Sequence, residues 1–495
     1  MSHPIFGVDE LLRLVIEELA GIGQRSTVSF ALTCRAFEEP TLSSLWKEQP
    51  SLFYLLKVLP NYTLAENEYN YATMVSGCNF PAYGIPRQPQ NIKYDASAED
   101  WARLRRCASW MRGLRDFLYG APTTDVLLRL SRDSSGRPLF PKLEWLHWDI
   151  YEAHVAFPFL HLLLPSPHLR RITLYIHLQS PNISQEYLGQ LVQVISLLPT
   201  PLEYLFVRRN RYLMAEKPLK DTISSLVCRC GPSLRTFSTC IPLSEAAIHH
   251  LVQLPNLSYW RTTQGPPRIV PTSIFPSLEK LDIDKEEALP WLHLFASAAS
   301  HTNVRQTLKY LNYLEDIIID STFLSSIAKF RNLVTLQVST YYCGITGGCF
   351  FHITDNDVKD LAVALPRLEI LRLGEPCRWN TCGTTVASLV LISVHCLDLT
   401  HLETHFNTQT IVGDMQGLLD GGAERDRAKC KLRRLLVGCM PLDVYGKDIR
   451  IVALGFKVVF PHLTGFEGCS YGWQELMRGL TEIDRGKADT GTSLL

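Results

Sequence analysis

PKLEWLHW at residues 141–148, PHLRRITL at 167–174 and TPLEYLFV at 200–207 are copies of one phrase. Each copy has a leucine, two variable residues, an apolar residue, one variable residue and a second apolar residue. The phrase recurs from residue 112 onward, with first leucines at Leu114, Leu143, Leu169, Leu202, Leu234, Leu257, Leu278, Leu314, Leu333, Leu368, Leu399, Leu432 and Leu463. Their mean spacing of about 29 residues is typical of a repeat in which a strand, a turn and a returning helix form one coil of a solenoid.

Alternation along a strand assigns each phrase position to one side of such a coil. The apolar residues at positions one, four and six point inward, and those at three and five point outward. Between the phrases, residues 184–198, 219–228, 244–254 and 355–365 carry apolar residues at helical spacing. The pattern therefore predicts an α/β fold for most of the chain.

Outward positions of the early repeats combine aromatic and basic residues, which favour contacts with a protein partner. The candidate target-binding residues are Trp145, His147, Arg171, Tyr204, Phe206 and Tyr259. The middle repeats offer Lys280, Asp282 and Asp316, so we expect a partner of mixed charge. A second interpretation stays open, in which neighbouring loops cover some of these side chains.

The N-terminal segment, IFGVDELLRLVIEELAGIGQRSTVSFALTCRAFEEPTLSSLW at residues 5–46, predicts three short helices. The first spans 9–19, the second runs to Phe37 after a polar break, and the third ends at Trp46. Ser26 or Thr27 could cap the second helix, and Thr41 or Ser43 the third. The segment holds more large apolar side chains than about 45 residues can enclose. It is therefore either completed by another protein or docked on the following domain as a cap.

The same segment resembles the F-box, most closely in the wording FALTCRAFEEPTLSSLW. The residues that match the F-box pattern are Glu10, Leu11, Leu12, Leu14, Ile16, Leu19, Leu32, Cys34, Arg35, Phe37, Leu45 and Trp46. An F-box followed by irregular leucine-rich repeats resembles the F-box/leucine-rich-repeat proteins of basidiomycete fungi. The stretch Ala98 to Leu104 is similar to a helix that leads into the first strand in that group.

The resemblance implies a substrate-recognition subunit of an SCF-type E3 ubiquitin ligase. The F-box would bind a Skp-family adaptor, and through it a cullin, while a horseshoe of repeats would hold an unknown target protein. The implied adaptor contacts are Leu11, Leu14, Ile16, Leu19, Leu32, Leu45 and Trp46. The alternative is a non-ligase protein-binding scaffold with the helical box as its N-terminal cap.

These expectations give four segments. Residues 1–50 are the F-box, 51–97 an irregular linker rich in proline and glycine, 98–483 the leucine-rich-repeat solenoid and 484–495 a disordered tail.

Composition narrows the function. The formal net charge is zero, which is atypical of nucleic-acid binders. The longest apolar stretch, 386–397, is shorter than the roughly 20 residues of a membrane span, and no signal peptide is evident. We therefore expect a cytoplasmic or nuclear protein with reduced cysteines and no membrane partner.

Motifs of catalysis and of cofactor binding are lacking. The cysteine pairs, such as Cys228 with Cys230, have no second pair at zinc-site spacing. The sequence contains no phosphate-binding glycine loop, dinucleotide fingerprint or nucleophile elbow. We expect no metal, no cofactor and no catalytic residue.

Overall fold

A computed structural model describes the greater part of the chain. The described residues are 9–50, 52–59, 97–117, 138–150, 166–176, 201–209, 217–268, 274–284, 289–297, 302–314, 319–339, 351–374, 383–420, 430–437, 447–467 and 471–490, with 189, 193, 196, 198, 442 and 444. The chain divides into two compact units, Met1–Ala247 and Ile248–Leu495. Both are built from helices and parallel strands, so the predicted α/β class is confirmed.

The first unit has a parallel sheet whose strands pair in chain order. These strands are β1 (Glu48–Gln49), β2 (Gly113–Phe117), β3 (Trp145–Ile150), β4 (Arg171–Ile176), β5 (Tyr204–Arg209) and β6 (Thr236–Thr239). Its helices are α1 (Asp9–Ile22), α2 (Gln24–Ala31), α3 (Arg35–Trp46), α4 (Leu52–Leu56), α5 (Ala98–Trp110) and α6 (Lys217–Arg229). Helix α7 (Glu245–Val252) contains the division between the units.

The second unit repeats this design. Its strands are β7 (Tyr259–Thr262), β8 (Lys280–Ile283), β9 (Tyr310–Leu314), β10 (Ile319–Asp320), β11 (Thr335–Ser339), β12 (Phe351–His352), β13 (Ile370–Leu373), β14 (His401–Thr404), β15 (Arg434–Val437) and β16 (Gly465–Glu467). Its helices are α8 (Pro290–Ser297), α9 (Thr302–Thr307), α10 (Ser321–Ile327), α11 (Asp355–Ala364), α12 (Val386–His395), α13 (Ile411–Asp420), α14 (Lys447–Val459) and α15 (Tyr471–Thr490). Strands β10 and β12 form a small separate sheet, and the others pair in chain order.

The inward positions of the repeated phrase form the core. In β3 and the turn before it, Leu143, Leu146 and Trp148 are at most 1% exposed. Burying side chains of this size contributes about 1.5–3 kcal/mol each. The alternation confirms that positions one, four and six point inward.

Two phrases were aligned wrongly from the sequence. Strand register places Leu311 beside Leu281 and Leu336, so the phrase of β9 begins at Leu308, which is buried, and not at Leu314. In β2, Leu114 pairs with Leu146 and holds position four, so buried Met111 takes position one. In both cases the search for a leucine followed by apolar residues selected a nearby leucine in the wrong register.

Helices α6, α7 and α11 confirm the predicted helices at 219–228, 244–254 and 355–365. Thr354 caps α11, and its hydroxyl and the Asp357 carboxylate form a reciprocal capping box. Most of the predicted helix at 184–198 lies outside the described residues.

The N-terminal helices differ in their boundaries from the prediction. Helix α2 ends at Ala31, and Phe37 belongs to α3, which begins at Arg35 after the extended Cys34. The predicted caps are therefore wrong, because Gly23 and Cys34 hold the N-cap positions. Gly23 adopts a φ of 148°, which favours glycine. It allows the turn between α1 and α2.

Helix α3 leads directly into the sheet. Strand β1 follows it and pairs with β2, while α3 also packs against α5. By register, Trp46 takes the place that first leucines occupy in later phrases. The last residues of the predicted F-box thus form the first strand of the sheet.

The predicted linker and tail contain helices. Helix α4 lies at 52–56 with Leu52, Leu55 and Leu56 buried, whereas residues 60–96 lie outside the described part of the chain. Helix α15 runs to Thr490, so residues 484–490 are helical and not part of a disordered tail. No helix of the described residues has the length and apolar character needed to cross a membrane.

Candidate functional site

Helix α1 has two apolar faces. Leu12 and Ile16 form a core with Phe37, against which Phe30 and Cys34 pack. The rings of Phe30 and Phe37 stack with centroids 4.6 Å apart. This core encloses one side of α1 and leaves the other in solvent.

Large apolar side chains are exposed on α1, on α2 and in the turn after α2, and together we call them the box surface. Its members, with exposed fractions, are Leu11 (41%), Leu14 (57%), Ile22 (74%), Val28 (45%) and Leu32 (82%). At about 100° per residue, Leu11, Leu14 and Ile22 lie on the same side of α1. Val28 and Leu32 come from α2 and the turn that follows it.

Three of the seven predicted adaptor contacts, Leu11, Leu14 and Leu32, lie on the box surface. Leu19, Leu45 and Trp46 are half-buried. Ile16 is 2% exposed and belongs to the core, so its place among the contacts is a misassignment. The sequence prediction did not include Ile22 and Val28 among the contacts. It selected residues that match the F-box pattern, and this pattern does not show which side chains of a helix are exposed.

The second candidate site is the outward face of the sheet in the first unit. Strand register aligns Trp145, Arg171 and Tyr204 in one row across β3, β4 and β5. The next row contains His147, Thr173 and Phe206, with Arg115 of β2 beside His147. We call these two rows the arginine–aromatic face.

An open cavity of about 490 Å³ lies on this face. It is lined by Arg115, Trp145, Leu146, His147, Arg171, Thr173, Glu203, Tyr204, Arg235 and Thr236. Four of the six predicted target-binding residues, Trp145, His147, Arg171 and Tyr204, therefore share one cavity. Phe206 lies in the adjoining row, and Tyr259 belongs to the second unit.

Gly113 is required by the position of Trp145. The two residues are register partners on β2 and β3, and a Cβ atom on Gly113 would overlap the indole atoms Cε2, Nε1 and Cζ2. The ring thus lies over the glycine of the neighbouring strand. Only glycine leaves room for this flat placement.

Aromatic rings of this face contact one another and Tyr175, which lies in the next row. The ring centroids of His147 and Tyr175 are 5.1 Å apart, and those of Tyr175 and Phe206 are 5.5 Å apart. Tyr204 stacks with Phe206 at 6.5 Å. Burial raises the pKa of Tyr204, which a hydrogen bond with Thr173 partly opposes, so its phenol stays protonated at neutral pH. The rings form a continuous apolar strip beside the arginines.

The charges on this face are unbalanced. Arg115 and Arg171 are exposed, and neither forms an ion pair with a carboxylate among the described side chains. The one acid in the cavity lining, Glu203, lies 3.6 Å from Arg170. Two guanidinium groups therefore face solvent beside aromatic rings.

Tyr259 takes part in a polar network of the second unit. Its hydroxyl donates to Asp282 Oδ2 at 2.6 Å, and Arg261 forms an ion pair with Asp284 at 2.9 Å. Burial raises the pKa of Asp282, against the hydrogen bond from Tyr259 and the charge of Arg261. Oδ1 of Asp282 and Oδ1 of Asn312, its register partner on β9, have no hydrogen-bond partner among the described groups.

Among the described residues, no cluster of three His, Cys, Asp or Glu side chains is placed to hold a metal ion. The arrangement of both candidate sites suits contact with another macromolecule.

No protein-family model matches this chain, and no curated protein matches it.

Proposed function

We propose that the chain is the substrate-recognition subunit of an SCF-type ubiquitin ligase. In this proposal α1–α3 bind a Skp-family adaptor and the arginine–aromatic face binds a target protein. The observation that carries it is the box surface, in a segment that resembles the F-box.

The box surface has the character of a protein interface. Apolar side chains such as Leu14 and Leu32 stay exposed while a separate core holds the helices together. Leu11, Leu14 and Ile22 lie on one side of α1, and exposed apolar patches of this kind mark interaction sites. Burying each such side chain contributes about 1.5–3 kcal/mol. The resemblance to the F-box implies that a Skp-family adaptor binds this surface.

The strands and helices of each unit support the proposal of leucine-rich-repeat coils. Parallel strands follow one another in chain order, their leucines point inward, and helices lie between them. Such arrays present an extended strand face to a protein partner. The chain itself does no bond chemistry in this proposal. It raises the effective concentration of target lysines near a ubiquitin donor that the cullin brings.

A second candidate function is a protein-binding scaffold outside any ligase. It is favoured by the direct passage of α3 into β1, because a helical unit joined in this way also serves as a cap of the sheet. Here the strand face would bind its partner without ubiquitin transfer.

Adaptor capture tests the proposal. The purified chain is mixed with a fungal Skp adaptor and its cullin, and the captured proteins are quantified. A Leu14→Asp, Leu32→Asp variant should lose at least about tenfold in adaptor capture, since two exposed apolar contacts become charged. The matched control is Val363→Asp, Val394→Asp, which changes two similarly exposed valines of the second unit.

Each outcome has one meaning. Capture by the wild-type chain and the control, lost in the box variant, supports the adaptor site. No capture by the wild-type chain refutes the ligase proposal. Capture of the adaptor without the cullin favours the scaffold. Circular dichroism verifies that the helices of both variants are intact.

A further inference from the structure

We propose that the arginine–aromatic face binds an anionic side chain of its protein partner, a carboxylate or a phosphate, between Arg115 and Arg171. An apolar residue next to that anion would lie on Trp145 and Tyr204. This inference rests on the proposed function only in identifying the partner as the ligase target. It names the chemistry by which the target is recognised.

The two units offer an internal comparison of outward arginines. In the second unit Arg261 pairs with Asp284 at 2.9 Å, Arg372 with Glu403 at 3.5 Å, and Arg434 with Glu467 at 2.5 Å. In each case the acid lies on, or directly after, the neighbouring strand.

In the first unit the register partners of the outward arginines are not acids. Asp149 lies two residues after His147, as Asp284 lies two after Asp282, and its side chain is outside the described part of the structure. The outward neighbours of Arg171 are Trp145 and Tyr204, and that of Arg115 is His147. The fold thus places arginine on the strand face in both units, but leaves it without a carboxylate only here, among the described side chains. An anion from a partner would supply the missing charge.

Geometry allows both arginines to reach one ligand. Arg115 on β2 and Arg171 on β4 flank β3, and their Cα atoms are on the order of 12 Å apart from strand spacing and rise. Extended arginine side chains can close this gap from either side of β3. The planar guanidinium binds carboxylate and phosphate through two parallel hydrogen bonds.

The aromatic rings set the surroundings of that anion. Trp145 and Tyr204 flank Arg171 in the same row, so a partner that covers this row would enclose the bound anion among aromatic side chains. A lower local dielectric strengthens the charge pair. The cavity of about 490 Å³ suits one or two side chains of a peptide.

A protein segment fits the face better than a nucleic acid. The chain has a formal net charge of zero, and Glu203 also lines the cavity. Nucleic-acid grooves need basic residues that follow the phosphate backbone over several nucleotides. Three arginines, Arg115, Arg171 and Arg235, line this one cavity, which matches a single anionic side chain.

The test uses pools of short peptides with random flanks and one fixed central residue. The fixed residues are glutamate, phosphoserine, glutamine and serine, and binding to the full-length chain is measured by fluorescence polarisation. We expect the glutamate pool to bind at least about tenfold more tightly than the glutamine pool, or the phosphoserine pool than the serine pool. The ratio of the two anionic pools distinguishes carboxylate from phosphate as the natural ligand.

Variants assign the preference to the face. Arg115→Gln with Arg171→Gln should abolish the preference for anionic pools, and raised salt should weaken it. The matched control is Arg105→Gln, an exposed arginine of α5 outside the cavity lining. The double variant and the control both replace solvent-exposed arginines. Circular dichroism checks that each variant is folded.

Three results would overturn the inference. They are equal or absent binding of all pools, an anionic preference that survives the double substitution, and binding of an oligouridylate in place of the peptides. Adaptor capture is measured on the same preparations. Capture without anionic preference overturns the inference alone, whereas anionic preference without capture refutes the ligase proposal and leaves the site in place.

Discussion

Replacing Asp282 by asparagine is expected to stabilise the second unit at neutral pH. The residue is 7% exposed, and burial raises the pKa of its carboxyl group. Its Oδ1 and that of Asn312 have no hydrogen-bond partner among the described groups. An asparagine keeps an oxygen for the hydroxyl of Tyr259 and adds N–H donors beside the orphaned oxygen of Asn312.

The expected gain is about 1 kcal/mol. A buried oxygen without a donor costs about 1–3 kcal/mol. Against this stands the lost attraction between Asp282 and Arg261, which keeps its ion pair with Asp284 at 2.9 Å. The favourable term is therefore larger than the loss.

The gain depends on pH with a defined sign. Because the folded pKa of Asp282 is raised above its unfolded value, the folded protein holds the proton more tightly. The stabilising contribution of that proton is complete below the unfolded pKa of about 3.9 and is lost as pH rises through the folded pKa. The advantage of the variant should thus grow with pH across this window and disappear in acid.

Hydrogen exchange of the β8 and β9 amides measures the effect locally, with urea unfolding as a second readout. Asp284→Asn is the matched control and should destabilise the unit, since it removes the ion pair of Arg261. If Asp282→Asn were less stable than the wild-type chain at neutral pH, with unchanged pH dependence, the attraction between the Asp282 carboxylate and Arg261 would outweigh the cost of its burial. The reasoning from burial would then be wrong.

Two further substitutions test other contacts. Asp484→Ala should destabilise the second unit by about 1–2 kcal/mol. The Lys457 side chain is 6% exposed, and its ammonium lies 2.8 Å from Asp484 Oδ2 and would lose that acceptor. Urea unfolding measures the change, and an effect no larger than that of the exposed control Glu482→Ala would contradict the prediction. Gly113→Ala should displace the Trp145 indole and weaken peptide binding, while stability changes by less than about 1 kcal/mol because alanine suits a strand better; near-ultraviolet circular dichroism reports the ring, and an unchanged spectrum would count against the overlap.

Much of the repeat architecture could be predicted because it rests on local alternation. Most phrases with a leucine at position one, such as that of Leu143, gave the correct inward and outward residues. The phrase of Leu308 was an exception, because Leu314 was selected in its place. Where another apolar residue holds the position, as Met111 does, the pattern selected a neighbour. Arg115 was missed for this reason, since the shifted phrase hid its outward position.

The box shows a different limit of sequence reasoning. Ile16 and Leu14 both match the F-box pattern and both have apolar side chains, yet one lies in the core and the other in solvent. Which face of α1 turns inward depends on Phe30 and Phe37, and these positions follow from the turn at residues 32–34. Tertiary contacts of this kind are invisible to helical spacing alone.

The passage from α3 to β1 has a mechanical consequence. The carbonyl oxygen of Lys47 accepts from the amides of Arg112 and Gly113 at 2.8 and 3.0 Å, so the helices are clamped to the strand that carries Arg115. A molecule bound to α1–α3 and another bound to β2–β5 would therefore keep a fixed distance and orientation, because no flexible linker separates α3 from β1. Inserting residues between Trp46 and Glu48 would change the distance and the orientation between the two bound molecules.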